Sequence, residues 1–142
     1  MHTVQTQQLE LLPAHHRADE ANVVRAAWPL HGGTGSRSTA AVYFELERGI
    51  RLGRHTDSAE EVLVVLAGEV DVVVGDDRRR LTAGGMAVVP AEAPHDVIGA
   101  GDGTARVTGI FPASTVVSVF DDEWLPYGTR VLGTPEETAV PS

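Results

Sequence analysis

A valine-rich run closed by glycine or aspartate recurs about every ten residues from position 40 onward. That spacing suits a strand with its turn and is too short for a packed helix. The clearest runs are AAVYFELE (40–47), EVLVVLAG (61–68), EVDVVVG (69–75), MAVVP (86–90), HDVIG (95–99), ARVTGIF (105–111) and TVVSVF (115–120), with IRLGRH (50–55) among them. Alternation puts Val42, Phe44 and Leu46 on one face of their strand, and Val70, Val72 and Val74 on one face of theirs. No long segment carries a helical period. The best helical candidate is DEANVVRAA (19–27), with an acidic start and Pro29 as its stop, although the β-branched Val23 and Val24 suit a strand equally well. About nine strands with short loops predict an all-β chain, a single antiparallel barrel or sandwich of the jelly-roll kind. EVLVVLAG is apolar on both faces and reads as a strand buried on both sides. Its outer face points to a homodimer that covers it.

At 142 residues the chain has the size of one domain. Its net charge is −9, and all eleven bases are arginine. That balance argues against nucleic-acid or anionic-membrane partners, which need a basic footprint. Cysteine is absent, which excludes disulfides, thiolate metal sites and a cysteine nucleophile. No stretch approaches 18 apolar residues, and MHTVQTQQLELLP lacks the charge and apolar run of a secretory signal, so the expectation is a soluble cytoplasmic protein. Four segments are expected: an arm over 1–39, strand or short helix, that can pack on a partner subunit; the barrel over 40–120; a cover segment over 121–133; and a loose tail over 134–142. Within them GGTGS (32–36) reads as a flexible loop, and GDDRRR (75–80) as a hairpin turn with a solvated basic exit.

Two clusters carry chemistry. The first runs Gly49, five residues, His55, one residue, Asp57, three residues, Glu61, six residues, Gly68. His55, Asp57 and Glu61 share parity, so a tight turn before Glu61 turns its carboxylate back toward His55, whereas Glu60 faces away. Leu63 and Val65 continue the Glu61 face and set the polar groups at the edge of an apolar cavity. The second cluster runs Gly84, five residues, Pro90, one residue, Glu92, two residues, His95. The two-proline turn PAEAP holds His95 at the start of the next strand. Converging carboxylates repel unless a cation joins them. Imidazoles with carboxylates suit Mn, Fe, Ni or Zn rather than Ca, which prefers oxygen shells.

These two clusters resemble the paired motifs of the cupin superfamily, in particular small single-domain, quercetinase-like metal-binding barrels. The first family motif is Gly, five residues, His-x-His, three or four residues, Glu, six residues, Gly; the chain matches it at Gly49, His55, Glu61 and Gly68 and has Asp57 in place of the second His. The second is Gly, five residues, Pro-x-Gly, two residues, His, three residues, Asn; the chain matches at Gly84, Pro90 and His95, with Glu92 and Gly99 as departures. The resemblance spans 40–120. It implies a double-stranded β-helix with one divalent metal ion (Fe, Mn, Ni or Zn) held on its inner wall by His55, Asp57, Glu61 and His95. Asp57 is shorter than the histidine it replaces: it either ligates directly, holds a water, or acts as a base.

The resemblance further implies a metal-dependent enzyme acting on a small organic molecule in the barrel. A mononuclear non-haem dioxygenase or oxygenase comes first, because two His and a carboxylate leave coordination positions open, with Glu61 or Asp57 taking the substrate proton. A non-redox isomerase, cyclase, decarboxylase or lyase is the alternative, and a non-catalytic ligand-binding barrel a second one. Glu92 reads as a solvated turn residue, and His2, His15, His16 and His31 as surface or disordered. Phe44 or Tyr43 lines the cavity, with parity pairing Phe44 to Val42 and Leu46. Arg51 and Arg54 either hold an anionic substrate group or decorate a solvated barrel end. Trp124 and Tyr127 cover the barrel or meet a partner subunit.

Overall fold

The computed structural model describes residues 1–135; the tail expected over 134–142 lies almost wholly outside them. Twelve strands form one antiparallel sheet. They are β1 (Leu12–His16), β2 (Asp19–Leu30), β3 (Ala40–Leu46), β4 (His55–Asp57), β5 (Glu61–Ala67) and β6 (Glu69–Val74). The chain continues through β7 (Asp77–Thr82), β8 (Met86–Val89), β9 (His95–Ala100), β10 (Ala105–Phe111), β11 (Val117–Leu125) and β12 (Thr129–Gly133). The hydrogen-bonded order is β7-β6-β9-β4-β11-β1-β2-β3-β10-β5-β8, with β12 on β11, and it curls into a nearly closed barrel whose two edges are β7 and β8. Two short 3-10 turns, Thr6–Gln8 and Gly32–Thr34, are the only helical pieces among the described residues, and neither is long and apolar enough to cross a membrane.

The ambiguous segment 19–27 is strand: Val24 is buried and Val23 is exposed, the alternation of a barrel wall rather than a helical stripe. Together β1 and β2 pair with each other and bridge β11 to β3, so this part of the arm completes the wall. GGTGS is more ordered than a flexible loop, because the His31 side chain caps its turn by accepting from the Gly33 amide at 3.0 Å. The basic exit of the 75–80 turn is itself an edge strand, β7. Its Arg78 and Arg80 pair with the carboxylate of Asp71 on the neighbouring β6. Four charged residues in succession, Asp77 to Arg80, conceal a strand of which only Leu81 is partly buried.

Alternate residues fill the interior. Phe44, Leu46, Leu63, Val65, Val70, Val72, Val97 and Val107 form one buried cluster that also takes in Phe120 and Trp124. Gly68 ends β5 at φ 76°, and a Cβ there would lie 2.8 Å from the Ala105 Cα, so only glycine lets β5 leave β10 at this corner. The outer face of β5 is less covered than its composition implies. Val62 and Val64 are half-buried and Leu66 is exposed, with Met86, Val88 and Ile110 exposed beside them.

Candidate metal centre

Sheet register assembles the centre from residues far apart in sequence. β4 lies between β9 and β11, where His55 faces His95, Asp57 faces Ser118, and His55 also faces Phe120. Strand alternation turns His55 and Asp57 inward, and Glu61 enters from the start of β5; all three are 4% exposed and His95 is 2% exposed. Glu61 fits because β10 has a glycine opposite it: a Cβ on Gly109 would collide with the Glu61 carboxylate.

Both imidazoles are aimed by the main chain. His55 Nδ1 lies 2.6 Å from the Gly53 carbonyl and His95 Nδ1 lies 2.8 Å from the Ala93 carbonyl. A carbonyl only accepts, so each Nδ1 carries a proton and each Nε2 faces the interior, where it can offer a lone pair to a metal that displaces its proton. From Asp57 Oδ2 the distances are 3.6 Å to His55 Nε2 and 3.1 Å to His95 Nε2; Glu61 Oε1 is 3.4 Å from His95 Nε2. One ligand atom from each of His55, Asp57 and His95 lies within 4.8 Å of the others. The other Asp57 oxygen accepts from Ser118 Oγ at 2.5 Å, and the Phe120 ring stacks on His55 at 4.4 Å. Asp57 Oδ2 and His95 Nε2 are buried without an aligned hydrogen-bond partner. Buried polar atoms are rarely left so. Two imidazole nitrogens with fixed tautomers, converging on an orphaned carboxylate oxygen, fit a divalent transition metal.

The electrostatics without a metal fit the same conclusion. Burial pushes His55 down to about 4, against the pull of Asp57. Burial also opposes charge on His95, but the facing carboxylates of Asp57 and Glu61 outweigh it and raise that imidazole to about 10. Desolvation works against the Asp57 carboxylate too, yet His95, His55 and Ser118 hold it below the usual range. Glu61 goes up, chiefly through burial and then through the charge of Asp57. A proton on His95 between two carboxylates thus occupies the place a metal cation suits.

The residues singled out in the sequence come together unevenly. His55, Asp57 and His95 form the compact group, and Glu61 stands at its side against His95. Glu60 and Glu92 are exposed, the latter with a left-handed φ of 64°. Arg51 and Arg54 are exposed and away from the cavity, with Arg54 facing Asp121 at 3.6 Å. Trp124 and Tyr127 line the interior, and so do Val42 and Phe44. Tyr43 points the other way and is fully buried even so, donating its hydroxyl to Glu45 at 2.7 Å. The expectation of surface histidines fails at His31 and most clearly at His16. The His16 ring is 1% exposed, lies 4.0 Å from Trp124, and donates from Nε2 to the Leu52 carbonyl at 3.0 Å. Sequence reasoning missed Ser118, Phe120 and Gly109. The signals were a serine inside the valine run TVVSVF and a glycine inside the strand ARVTGIF.

Next to the centre lies a cavity of about 360 Å³, walled by Val24, Trp28, Val42, Phe44, Leu52, Phe111, Phe120, Trp124 and Tyr127, with His55, Asp57 and Glu61 at one end. An apolar chamber with a few convergent polar groups is the usual form of a small-molecule site.

The profile of the cupin domain matches residues 42–111. No curated protein matches the sequence. Among solved structures, the polyketide cyclase RemF from Streptomyces resistomycificus superposes with a TM-score of 0.63 at 17% identity, over 79% of each chain. A cupin-like protein from Thermotoga maritima gives 0.58 at 20% identity, over 70% of this chain and 71% of that one. The DMSP lyase DddQ from Ruegeria pomeroyi gives 0.57 at 25% identity, over 63% of this chain and 47% of that one. With the barrel, the motif glycines and the matched profile in agreement, residues 42–111 are a cupin domain and the barrel has the cupin fold.

Proposed function

We propose that the protein is a mononuclear metal-dependent enzyme acting on a small organic molecule held in the barrel. The observation that carries this reading is the meeting of His55, Asp57 and His95 within 4.8 Å at the end of an apolar cavity. The ion, of the Fe, Mn, Ni or Zn class, would polarise a bound substrate oxygen or, where redox-active, exchange electrons with O2. The chain's own contributions are separable. Gly53 and Ala93 fix the two imidazoles, Ser118 and Phe120 fix Asp57 and His55, and the aromatic walls exclude water from the bound molecule.

The leading reading is an oxygenase. His55, His95 and Asp57 would hold the ion through two imidazoles and a carboxylate, a donor set that suits chemistry with O2. The placement of Glu61 favours a second reading: a non-redox isomerase, cyclase, decarboxylase or lyase. Glu61 stands beside the three-residue group and lines the cavity, where it can exchange a proton with a bound substrate's acidic carbon or hydroxyl. Structural relatives include a polyketide cyclase and a lyase, which adds weight to that alternative.

The deciding experiment pairs elemental analysis of freshly purified protein with turnover of a panel of phenols, flavonols and diketones. One tightly held metal per chain, with O2 consumed by the iron-loaded protein, supports the oxygenase. Turnover by the zinc-loaded protein without O2 overturns the oxygenase in favour of the second reading. Failure to retain any of the four metals removes both.

A further inference from the structure

The cavity lining contains no lysine and no arginine. The chain has no lysine at all, and ten of its eleven arginines are exposed, while Arg106 is half-buried on the outer side of β10 beside Glu45. Among the described residues three carboxylates face the space: Asp57 and Glu61 at the inner end, and Glu10 at the rim. An anionic group entering this chamber would find no side-chain cation to replace its water shell. Such desolvation is unfavourable in an apolar interior unless a countercharge offsets it.

The centre offers no surplus positive charge either. With an ion bound, both imidazoles would be neutral Nδ1–H tautomers, and the carboxylates of Asp57 and Glu61 together would balance its two charges. Replacing Asp57 by a third imidazole would leave such a centre positive by one unit and attractive to an anion; with Asp57 present it is neutral. The carboxylates, once neutralised by the ion, also give little hold on a cationic ligand.

We infer that the barrel selects uncharged, largely aromatic or otherwise apolar molecules that present a neutral oxygen to the centre, and rejects carboxylates, phosphates and other anions. This inference rests on the metal-centre reading for the charge balance at the inner end. The absence of cations from the walls holds without it.

The test uses binding alone. The full chain, loaded with one zinc per molecule, is titrated calorimetrically at pH 7 with 2-naphthol, 2-naphthoate and 2-naphthylmethylammonium, which share a ring system and differ in charge. The naphthol should bind at least tenfold more tightly than either ion. Naphthoate or the ammonium binding as tightly as the naphthol overturns the inference, as does the absence of naphthol binding at millimolar concentration. If none of the four metals is retained, the proposed function fails, and the naphthol-to-naphthoate ratio of the metal-free protein still decides whether the walls discriminate. A second arm places a cation on the rim. Leu12 lines the cavity and is 57% exposed, so Leu12→Lys leaves the core intact. It should raise naphthoate affinity several-fold relative to naphthol. An unchanged naphthoate affinity overturns the claim that charge controls entry.

Discussion

The barrel holds two kinds of buried histidine, and the contrast between them shows what makes a site. His55 and His95 each donate Nδ1–H to a carbonyl two residues earlier and turn Nε2 toward a carboxylate. His16 is as deeply buried, but its Nε2 is already committed to the Leu52 carbonyl and its ring is packed against Trp124. Gly53 even lacks a side chain in a way that makes room for His16: a Cβ there would overlap the His16 ring. Burial is therefore common to both classes. What separates them is an Nε2 that faces carboxylates instead of a main-chain carbonyl.

The comparison breaks most sharply at His95. His95→Ala should lower metal affinity by more than about 100-fold, beyond the 10–100-fold typical of losing an outer partner, and elemental analysis should find the metal gone. If the variant keeps stoichiometric metal, His95 belongs with His16. Ser118→Ala tests the support of Asp57. A loss of roughly 10–100-fold in zinc affinity is expected, with an unchanged far-ultraviolet spectrum, read by competition with a chelator. His16→Ala should instead cost about 2–4 kcal/mol in denaturant unfolding and leave the metal stoichiometry at one.

Proton linkage sharpens the same contrast. His95 is raised to about 10, so its stabilising contribution is complete below the unfolded value of 6.5 and fades as pH rises through 10. His55 is lowered to about 4, so its contribution is present above 6.5 and fades as pH falls toward 4. Acting together, the two imidazoles place a stability maximum of the metal-free protein near pH 6.5, measurable by melting temperature across pH 4–10. Zinc replaces the His95 proton, so loading should remove the alkaline decline. An alkaline limb identical with and without zinc would show that the ion does not sit at His95. The smallest effect is expected at Glu92, which occupies a left-handed conformation at the surface. Glu92→Gly should stabilise by about 0.5–1 kcal/mol without changing metal affinity.

The sequence shows some of this directly and hides the rest for physical reasons. Strand alternation is a local property, so the inward set His55, Asp57, Glu61 could be read from parity and the outward Glu60 excluded. The two-proline turn likewise announced where His95 begins its strand. Ser118 and Phe120 escaped because their roles come from the β4–β11 register, which joins residues about sixty positions apart. The strand at 77–82 escaped because hydrophobic patterning cannot reveal an edge of which only Leu81 is partly buried. The segment 19–27 carried both helical and strand signals, and only its pairing with β1 and β3 decides between them.

The tethers of His55 and His95 to main-chain carbonyls have a lasting consequence. The aim of each ligand is written in the shape of a loop rather than in the side chains that decorate it, so the residue at position 93 can change while the imbalance-free geometry around the ion is inherited intact. Chamber walls built on other strands are then at liberty to diverge, and a lineage of such proteins can exchange one guest for another without dismantling its reactive heart.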